Sequence, residues 1–261
     1  MNSRIGAGRV LAALALACAA AAHGAAPSAQ QILAASDEVR NPAKPFSVVI
    51  TLTEYRSSKQ TDSNTLAVLS KADSASGQYR SLVRFVAPAR DANKLMLKNG
   101  NDLWFFDPSS QASIRLSPQQ RLLGQAANGD VVTANLALDY KARLLDEEDL
   151  MDGERVSRHS YKLALAAVSP DVTYDHIEMW VDTTSSRPIK ARFYAESGRL
   201  LKTAYYRKFA AHLGRERPTE VVIIDGLDPS WVTVMRYSEF AWRELPDAWL
   251  QRDYLPRFKP E

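Results

Sequence analysis

The stretch "FSVVITLTEYR", residues 46–56, decides the fold class that the sequence predicts. Phe46, Val48, Ile50 and Leu52 alternate along it with Ser, Val and Thr. An alternation with a period of two is typical of a β-strand that has one buried face and one more polar face. The stretch therefore predicts a half-buried strand rather than a helix.

Segments of the same kind recur along the chain. They are rich in β-branched and aromatic residues and are separated by turn signals such as Asn-Gly-Asn around Gly100. We expect about eleven or twelve strands, joined by short turns as antiparallel neighbours in one meandering sheet. A sheet of that size must curl, and a curled sheet that does not close leaves a concave trough that can hold a ligand. The further segments are 65–72, 78–86, 93–99, 101–107, 112–116, 155–168, 174–182, 187–195, 199–209, 219–225 and 230–240.

Helices are predicted near both ends of this strand-rich region. Ser28 is a suitable N-cap for a helix that ends at Asn41-Pro42. "PDAWLQRDYLPRF", residues 246–258, predicts a short helix, because Pro246 can occupy a first helical turn.

The first residues have the pattern of a secretory leader. Arg4 and Arg9 precede an apolar run that is followed by small residues. We expect cleavage after Gly24, so that residues 1–24 are a signal peptide and residues 25–261 are a single domain in the periplasm of a Gram-negative cell. The alternative is a lipid anchor at Cys18. We do not favour it, because Ala stands three residues before Cys18, where Leu is usual in lipoprotein signal sequences.

Composition excludes several classes of protein. The chain has one cysteine, which lies in the leader, so disulfides, thiolate metal sites and a cysteine nucleophile are not expected. The formal net charge is +3, with 33 basic and 30 acidic residues interleaved, so we expect no nucleic-acid partner. After the leader, no apolar stretch approaches the ~20 residues of a spanning helix.

No motif for catalysis is found. The sequence lacks a Gly-x-Ser-x-Gly elbow and a Ser-x-x-Lys motif. His159, His176 and His212 have no partner at a zinc-like spacing, and the acidic run at residues 146–154 does not match a calcium loop. We instead expect Asp152-Gly153 to form a hairpin turn. The prediction is a protein that is not an enzyme and that has no metal and no cofactor.

The segment "SPQQRLLGQAANGDV", residues 117–131, interrupts the strand pattern. Its two glycines are not followed by Lys-Ser, so it is not a phosphate-binding loop. Ser117 and Pro118 predict a short helix over residues 119–123 that Gly124 ends. We expect Leu122 and Leu123 to point under the sheet, and the segment to cover one mouth of the trough.

Three stretches resemble a known family. "DLWFFDPSSQASIRLSPQQRLLGQAANGDV" (102–131), "NLALDY" (135–140) and "IEMWVDTTSSRPIKARFYAESGRLLKTAYY" (177–206) are similar to outer-membrane lipoprotein-sorting proteins of the LolA-like superfamily. The resemblance extends over residues 83–258. It implies a mainly β fold, in which a large curved antiparallel sheet forms a half-open barrel and a few helices cover the concave side.

The resemblance also implies a function and partners. Proteins of this kind carry lipid or lipoprotein acyl chains through the periplasm, and this branch is associated with inner-membrane exporters of the RND (MMPL) or ABC type rather than with the housekeeping LolA. We expect a monomeric carrier that can touch a membrane transiently. A structural or regulatory partner of such an exporter, with a trough filled by its own side chains, is the alternative.

The candidate lining is apolar. A shift of one residue in a strand would exchange its two faces, so Trp104, Phe106 and Trp180 form an alternative inward set. Trp231, Trp242 and Trp249 are expected to anchor the last helix or to touch a membrane or partner. The candidate lining residues are Leu95, Leu97, Leu103, Phe105, Ile177, Met179, Val181, Phe193, Tyr205 and Val234.

Overall fold

The computed structural model describes residues 26–259. The signal peptide predicted for residues 1–24, with Cys18, lies outside them. The helices and strands are α1 Ala29–Arg40, β1 Phe46–Arg56, β2 Lys59–Ala72, β3 Tyr79–Ala87, β4 Leu95–Asn99, β5 Asp102–Asp107, β6 Ala112–Arg115, β7 Arg121–Leu123, β8 Ala126–Ala127, α2 Leu136–Asp139, β9 Tyr140–Met151, β10 Ser157–Ala167, β11 His176–Asp182, β12 Pro188–Tyr194, β13 Leu200–His212, β14 Arg215–Asp225 and β15 Trp231–Trp242.

Within residues 26–259, thirteen strands form one antiparallel sheet in the order β6-β5-β4-β3-β2-β1-β15-β14-β13-β12-β11-β10-β9. The sheet is two meanders joined where β1 pairs with β15, with Ile50 opposite Tyr237 and Leu52 opposite Met235. Strand twist makes a sheet of this width curl. In the described part of the chain, its edge strands β6 and β9 do not pair with each other, so the curved sheet is not closed. The predicted fold class is confirmed.

Side chains alternate between two faces of the sheet. We call the face that bears Phe46, Val48 and Ile50 the inner face. It packs against α1 and against residues 117–139, which pass from β6 to β9 and which we call the cover. The opposite, outer face carries a smaller apolar cluster under two 3-10 turns, Asp247–Leu250 and Arg252–Arg257.

Helix α1 begins and ends where the sequence predicts. Ser28 and Gln31 form a capping box at its start, and Asn41 is its C-cap. Gln30 then attaches it to the edge strand β9, since its side-chain amide donates to the carbonyl of Tyr140 (3.1 Å) and accepts from the N–H of Ala142 (2.9 Å). One side-chain amide therefore provides hydrogen-bond partners for a backbone carbonyl and a backbone N–H at the start of an edge strand.

The structure differs from the local predictions at three places. Residues 119–123 do not form a helix, because Gly124 has φ 54° and reverses the chain, so that β7 and β8 pair as a small hairpin. The C-terminal segment is helical, as predicted, but it forms two short 3-10 helices instead of one helix. The sequence pattern does not predict strand β9, because this strand is mostly exposed and carries the acidic run instead of an apolar alternation. Asp152 and Gly153 do form the turn between β9 and β10.

No helix among residues 26–259 combines the length and the apolar character needed to cross a bilayer.

Candidate ligand cavity

A cavity of about 170 Å³ lies between the inner face of the sheet and the elements that cover it. The central strands β1, β2, β14 and β15 supply an apolar floor, and the end of α1 and the cover supply the roof. The side chains of this floor are Phe46, Val48, Ile50, Val68, Val221, Ile223 and Met235. Such a floor favours contact with an apolar part of a ligand.

A buried ion pair attaches the cover to the sheet at one end of the cavity. Lys202 on β13 is 3% exposed, and its ammonium group contacts the carboxylate of Asp130 on the cover. It also donates to the carbonyl of Gln125 (3.0 Å). Burial lowers the pKa of Lys202, and the charge of Asp130 opposes this shift.

The carboxylate of Asp130 has further partners. It accepts hydrogen bonds from the hydroxyl of Tyr174 (2.9 Å) and from the backbone N–H of Ala127 (2.7 Å). Burial, together with the nearby carboxylate of Asp130, raises the pKa of Tyr174. The Lys202–Asp130 pair is therefore the centre of a network that links β13, the loop before β11 and the cover.

Hydroxyl groups of the sheet hold the cover at two more points. Thr233 on β15 accepts from the N–H of Gln125 (2.7 Å), directly beside Gly124. Thr133 on the cover is 2.7 Å from the hydroxyl of Ser70 on β2. A side chain at position 124 would collide with Thr233, so glycine is required there for the close approach as well as for its positive φ.

Polar side chains of the sheet and of α1 also line the cavity. Tyr206 on β13, Tyr237 on β15 and Arg40 at the end of α1 all line the cavity. Burial raises the pKa of both tyrosines. Arg40 pairs with Asp37, whose carboxylate also accepts from the N–H of Ala137 (2.7 Å) in α2. Burial raises the pKa of Asp37.

Arg217 on β14 separates the cavity from a wider groove. It donates to the carbonyls of Val39 (3.0 Å) and Glu38 (3.2 Å) at the C-terminal end of α1. A cation at this end of a helix is favourable because of the helix dipole. Beyond Arg217 lies a groove of about 750 Å³, whose wall includes Trp242.

Comparisons with known proteins assign the family. A family model described as an uncharacterized protein matches residues 77–257. The crystal structure of a LolA superfamily protein from Nitrosomonas europaea is 39% identical in sequence, with a TM-score of 0.78 over 88% of this chain and 100% of that chain. This chain belongs to the LolA superfamily.

Two solved structures of lower sequence identity share the fold. A candidate outer membrane lipoprotein-sorting protein domain from Vibrio parahaemolyticus is 15% identical, with a TM-score of 0.74 over 88% of this chain and 98% of that chain. A DUF1329 family protein from Desulfovibrio piger is 19% identical, with a TM-score of 0.73 over 87% of this chain and 97% of that chain. Among curated proteins the sequence has no significant match.

The sheet of this LolA superfamily protein divides the predicted lining residues between its faces. Ile177 and Phe193 line the cavity. Leu103, Phe105, Met179 and Val181 belong to the same inner-face cluster but do not line the cavity. Lipid contact stays a prediction for all six.

Four predicted residues were placed on the wrong face. Leu95 and Leu97 lie in the outer cluster, since β4 pairs with β5 so that Leu95 is opposite Phe106 and Leu97 is opposite Trp104. Tyr205 neighbours the inner residue Tyr206 and points to the outer face, where Lys190 lies 5.7 Å from its ring. Val234 likewise stands between Thr233 and Met235 in the sequence of β15. Since these two neighbours point to the inner face, Val234 points to the outer face.

The alternative inward set is also on the outer face. Trp104 and Phe106 pack in the outer cluster with Leu95. Trp180 is covered by basic side chains, with Lys190 at 4.8 Å and Lys162 at 5.2 Å from its ring. None of the three lines the cavity.

The two leucines of the cover differ in burial. Leu123 is buried and Leu122 is half-buried, and both pack with the inner-face cluster. They lie in the β7 hairpin rather than in the predicted helix. The three tryptophans have separate places: Trp249 packs against Phe258, Trp242 lies in the groove, and Trp231 donates to Glu54 (2.6 Å).

Sequence reasoning missed the polar residues of the site. Lys202 and Asp130 are 72 positions apart, and no short motif links them. The available signal is the "NGD" of residues 128–130, which lies in the stretch that carries the family resemblance but does not indicate which residue pairs with Asp130. No group of three or more acidic, His or Cys side chains within residues 26–259 is arranged to hold a metal ion.

Proposed function

We propose that this protein is a periplasmic carrier that binds an acyl chain of a lipid or lipoprotein in the cavity and moves it between an inner-membrane exporter and the outer membrane. The observation that carries the proposal is the apolar cavity between the inner face of the sheet and the cover. Membership in the LolA superfamily and the fold shared with a candidate lipoprotein-sorting domain support it.

Hydrophobic transfer energies explain why such cargo needs a carrier. Each buried methylene contributes ~0.8 kcal/mol, so a chain of about sixteen carbons resists leaving a membrane by roughly 10 kcal/mol or more. Acyl chains therefore cross water only when a protein shields them. An apolar cavity with a movable cover meets both requirements, because it shields the chain and can still release it.

The volume of the cavity implies that the cover moves. A cavity of about 150 Å³ in another protein holds benzene. At about 170 Å³, this cavity holds only a short part of an acyl chain. A complete chain requires the cover to move away from the sheet. The contacts that must then break include those of Asp130 with Lys202, of Gln125 with Thr233 and of Thr133 with Ser70.

The support for the proposed exporter and for the proposed compartment comes from the sequence. The leader pattern of residues 1–24 supports export to the periplasm. The resemblance of residues 83–258 to exporter-associated LolA-like proteins supports an RND (MMPL) or ABC exporter as the partner. The proposal assigns the protein a binding role and no catalytic step.

The alternative is a structural or regulatory partner of such an exporter that carries nothing. The small volume of the cavity favours it, as do Phe193 and Tyr174, whose rings are 4.6 Å apart at the cavity wall. In that case the side chains of the protein itself fill the trough.

Native mass spectrometry of protein purified from the periplasm separates the two functions. The carrier predicts co-purifying acyl species, which Ala204→Leu should displace because Ala204 lines the cavity. Thr203→Leu, one residue earlier and half-buried on the outer face, is the matched control and should retain them. Val68→Leu, which narrows the cavity from β2, is a second test should Ala204→Leu overpack the core.

Delipidated protein should also take up a fluorescent fatty acid, and Ala204→Leu should reduce that uptake. A wild-type protein with no bound acyl species and no uptake would refute carriage and favour the alternative.

A further inference from the structure

Two tyrosines on the inner face point into the cavity from neighbouring parts of the sheet. Tyr206 on β13 is opposite Val221 on β14, and Val221 is opposite Met235 on β15. Tyr237 is two residues beyond Met235, so it lies on the same face. Both tyrosines line the cavity.

In the described part of the chain no hydrogen bond joins either hydroxyl to another residue, and neither hydroxyl oxygen is among the fully buried polar atoms that lack a partner, so both face the open space of the cavity. Other tyrosines packed in this core do have one. The hydroxyl of Tyr79 donates to the carbonyl of Pro42 (2.9 Å), and that of Tyr140 donates to the carbonyl of Tyr174 (3.0 Å). The hydroxyls of Tyr206 and Tyr237 are therefore available for hydrogen bonds to water or to a ligand that enters the cavity.

The charges around the two hydroxyls favour an acceptor. Arg40 lies near both rings, and its Nε is buried without a partner. Asp37 and Asp130 are the nearby carboxylates, but Asp37 is paired with Arg40 and Asp130 with Lys202. Asn41 and Asp139 also line the cavity and carry acceptor oxygens, whereas the two tyrosine hydroxyls and the Nε–H of Arg40 can donate. A ligand atom that can only accept, such as a carbonyl or carboxylate oxygen, fits them.

We propose that the cavity recognises the oxygen-bearing end of an acyl group, whose carbonyl or carboxylate oxygen accepts hydrogen bonds from Tyr206 and Tyr237 while the chain lies on the apolar floor. This inference rests on the proposed carriage of acyl chains and specifies the cargo further. A plain hydrocarbon of the same length would leave both hydroxyls unpaired and should bind less tightly.

The test compares three ligands with the same chain: decanoate, methyl decanoate and decane. Delipidated protein is loaded with 1-N-phenylnaphthylamine, and each ligand is titrated in to displace it. Wild type should bind decanoate and methyl decanoate more tightly than decane. The difference between the first two reports whether a carboxylate or an ester carbonyl is preferred.

Tyr206→Phe and Tyr237→Phe remove the hydroxyls and keep the rings. Each should weaken binding of the two oxygenated ligands by about 3- to 10-fold, the effect of one hydrogen bond, and leave decane binding unchanged or tighter. Tyr205→Phe is the matched control, because Tyr205 is on the same strand but points to the outer face; it should change none of the three affinities. The melting temperatures of Tyr206→Phe and Tyr237→Phe should not fall, since each hydroxyl lacks a protein partner.

The outcomes separate this inference from the function on which it rests. If wild type binds all three ligands, and the Phe variants change the three affinities equally or not at all, the recognition of oxygen is refuted and the carriage of acyl chains stands. If wild type binds none of the three, the carrier proposal fails and this inference fails with it.

Discussion

Breaking the Asp130–Lys202 pair should destabilise the protein and loosen the cover. Asp130→Asn leaves the ammonium group of Lys202, 4% exposed as a side chain, without a carboxylate partner. It keeps its hydrogen bond to the carbonyl of Gln125 and the rings of Tyr174 and Phe193, whose centres are 4.9 and 5.3 Å away. Removing one member of a buried pair costs about 3–5 kcal/mol. Because the carboxylate of Asp130 is 14% exposed, we expect the lower end, about 3 kcal/mol.

Removing the other member of the pair should lower the free energy of unfolding by less. Lys202→Met leaves Asp130 with its hydrogen bonds from Tyr174 and Ala127, so we expect a loss of about 2 kcal/mol. The double variant buries no unpaired charge and should also lose about 2 kcal/mol, since an apolar side chain often replaces a buried pair at little cost. The coupling is then about 3 kcal/mol, the summed single losses minus the loss in the double variant.

Urea unfolding at neutral pH, followed by tryptophan fluorescence, measures the free energy of unfolding of wild type, of the two single variants and of the double variant. Asp247→Asn is the control, because Asp247 pairs with Lys71 and Arg80 at an exposed position and should leave the urea midpoint unchanged. Hydrogen exchange of Asp130→Asn should accelerate in the cover and not in β1. Additive single effects, or an Asp130→Asn loss no larger than that of Asp247→Asn, would refute the reasoning.

Three further predictions concern the cover, the outer face and the edge strand. Gly124→Ala should lower the melting temperature far more than Gly100→Ala. Both glycines have a positive φ, but only at position 124 would the new Cβ collide with Thr233. Equal effects of the two substitutions would contradict this. Burial raises the pKa of Glu220, but hydrogen bonds from basic neighbours outweigh it and lower the pKa below its ordinary 4.5. The stability contributed by Glu220 is therefore present above that value and lost as pH falls, so the gap in urea midpoint between wild type and Glu220→Gln should shrink from about pH 6 to about pH 3. Gln30→Leu should destabilise the protein by about 1–2 kcal/mol and speed hydrogen exchange at the start of β9, and unchanged exchange there would count against its bridging role.

The sequence by itself determined the class of fold. The period-two alternation in segments such as residues 46–56 requires strands with two unlike faces, and these strands are too many to remain flat. Ser28 and Asn41 predicted both ends of α1, because capping depends on side chains within a few residues of the helix end. Such local signals need no knowledge of distant parts of the chain.

Only the tertiary structure decided which face is inner and what lies there. Alternation shows that two faces exist, but pairing with neighbouring strands decides which of them meets α1 and the cover. The two-residue turn at Gly100 already requires Leu95 to share a face with Phe106, yet it does not say whether that face is inner or outer. The polar part of the site depends on contacts between residues far apart, such as Lys202 with Asp130, and these exist only because the cover folds back across the curved sheet.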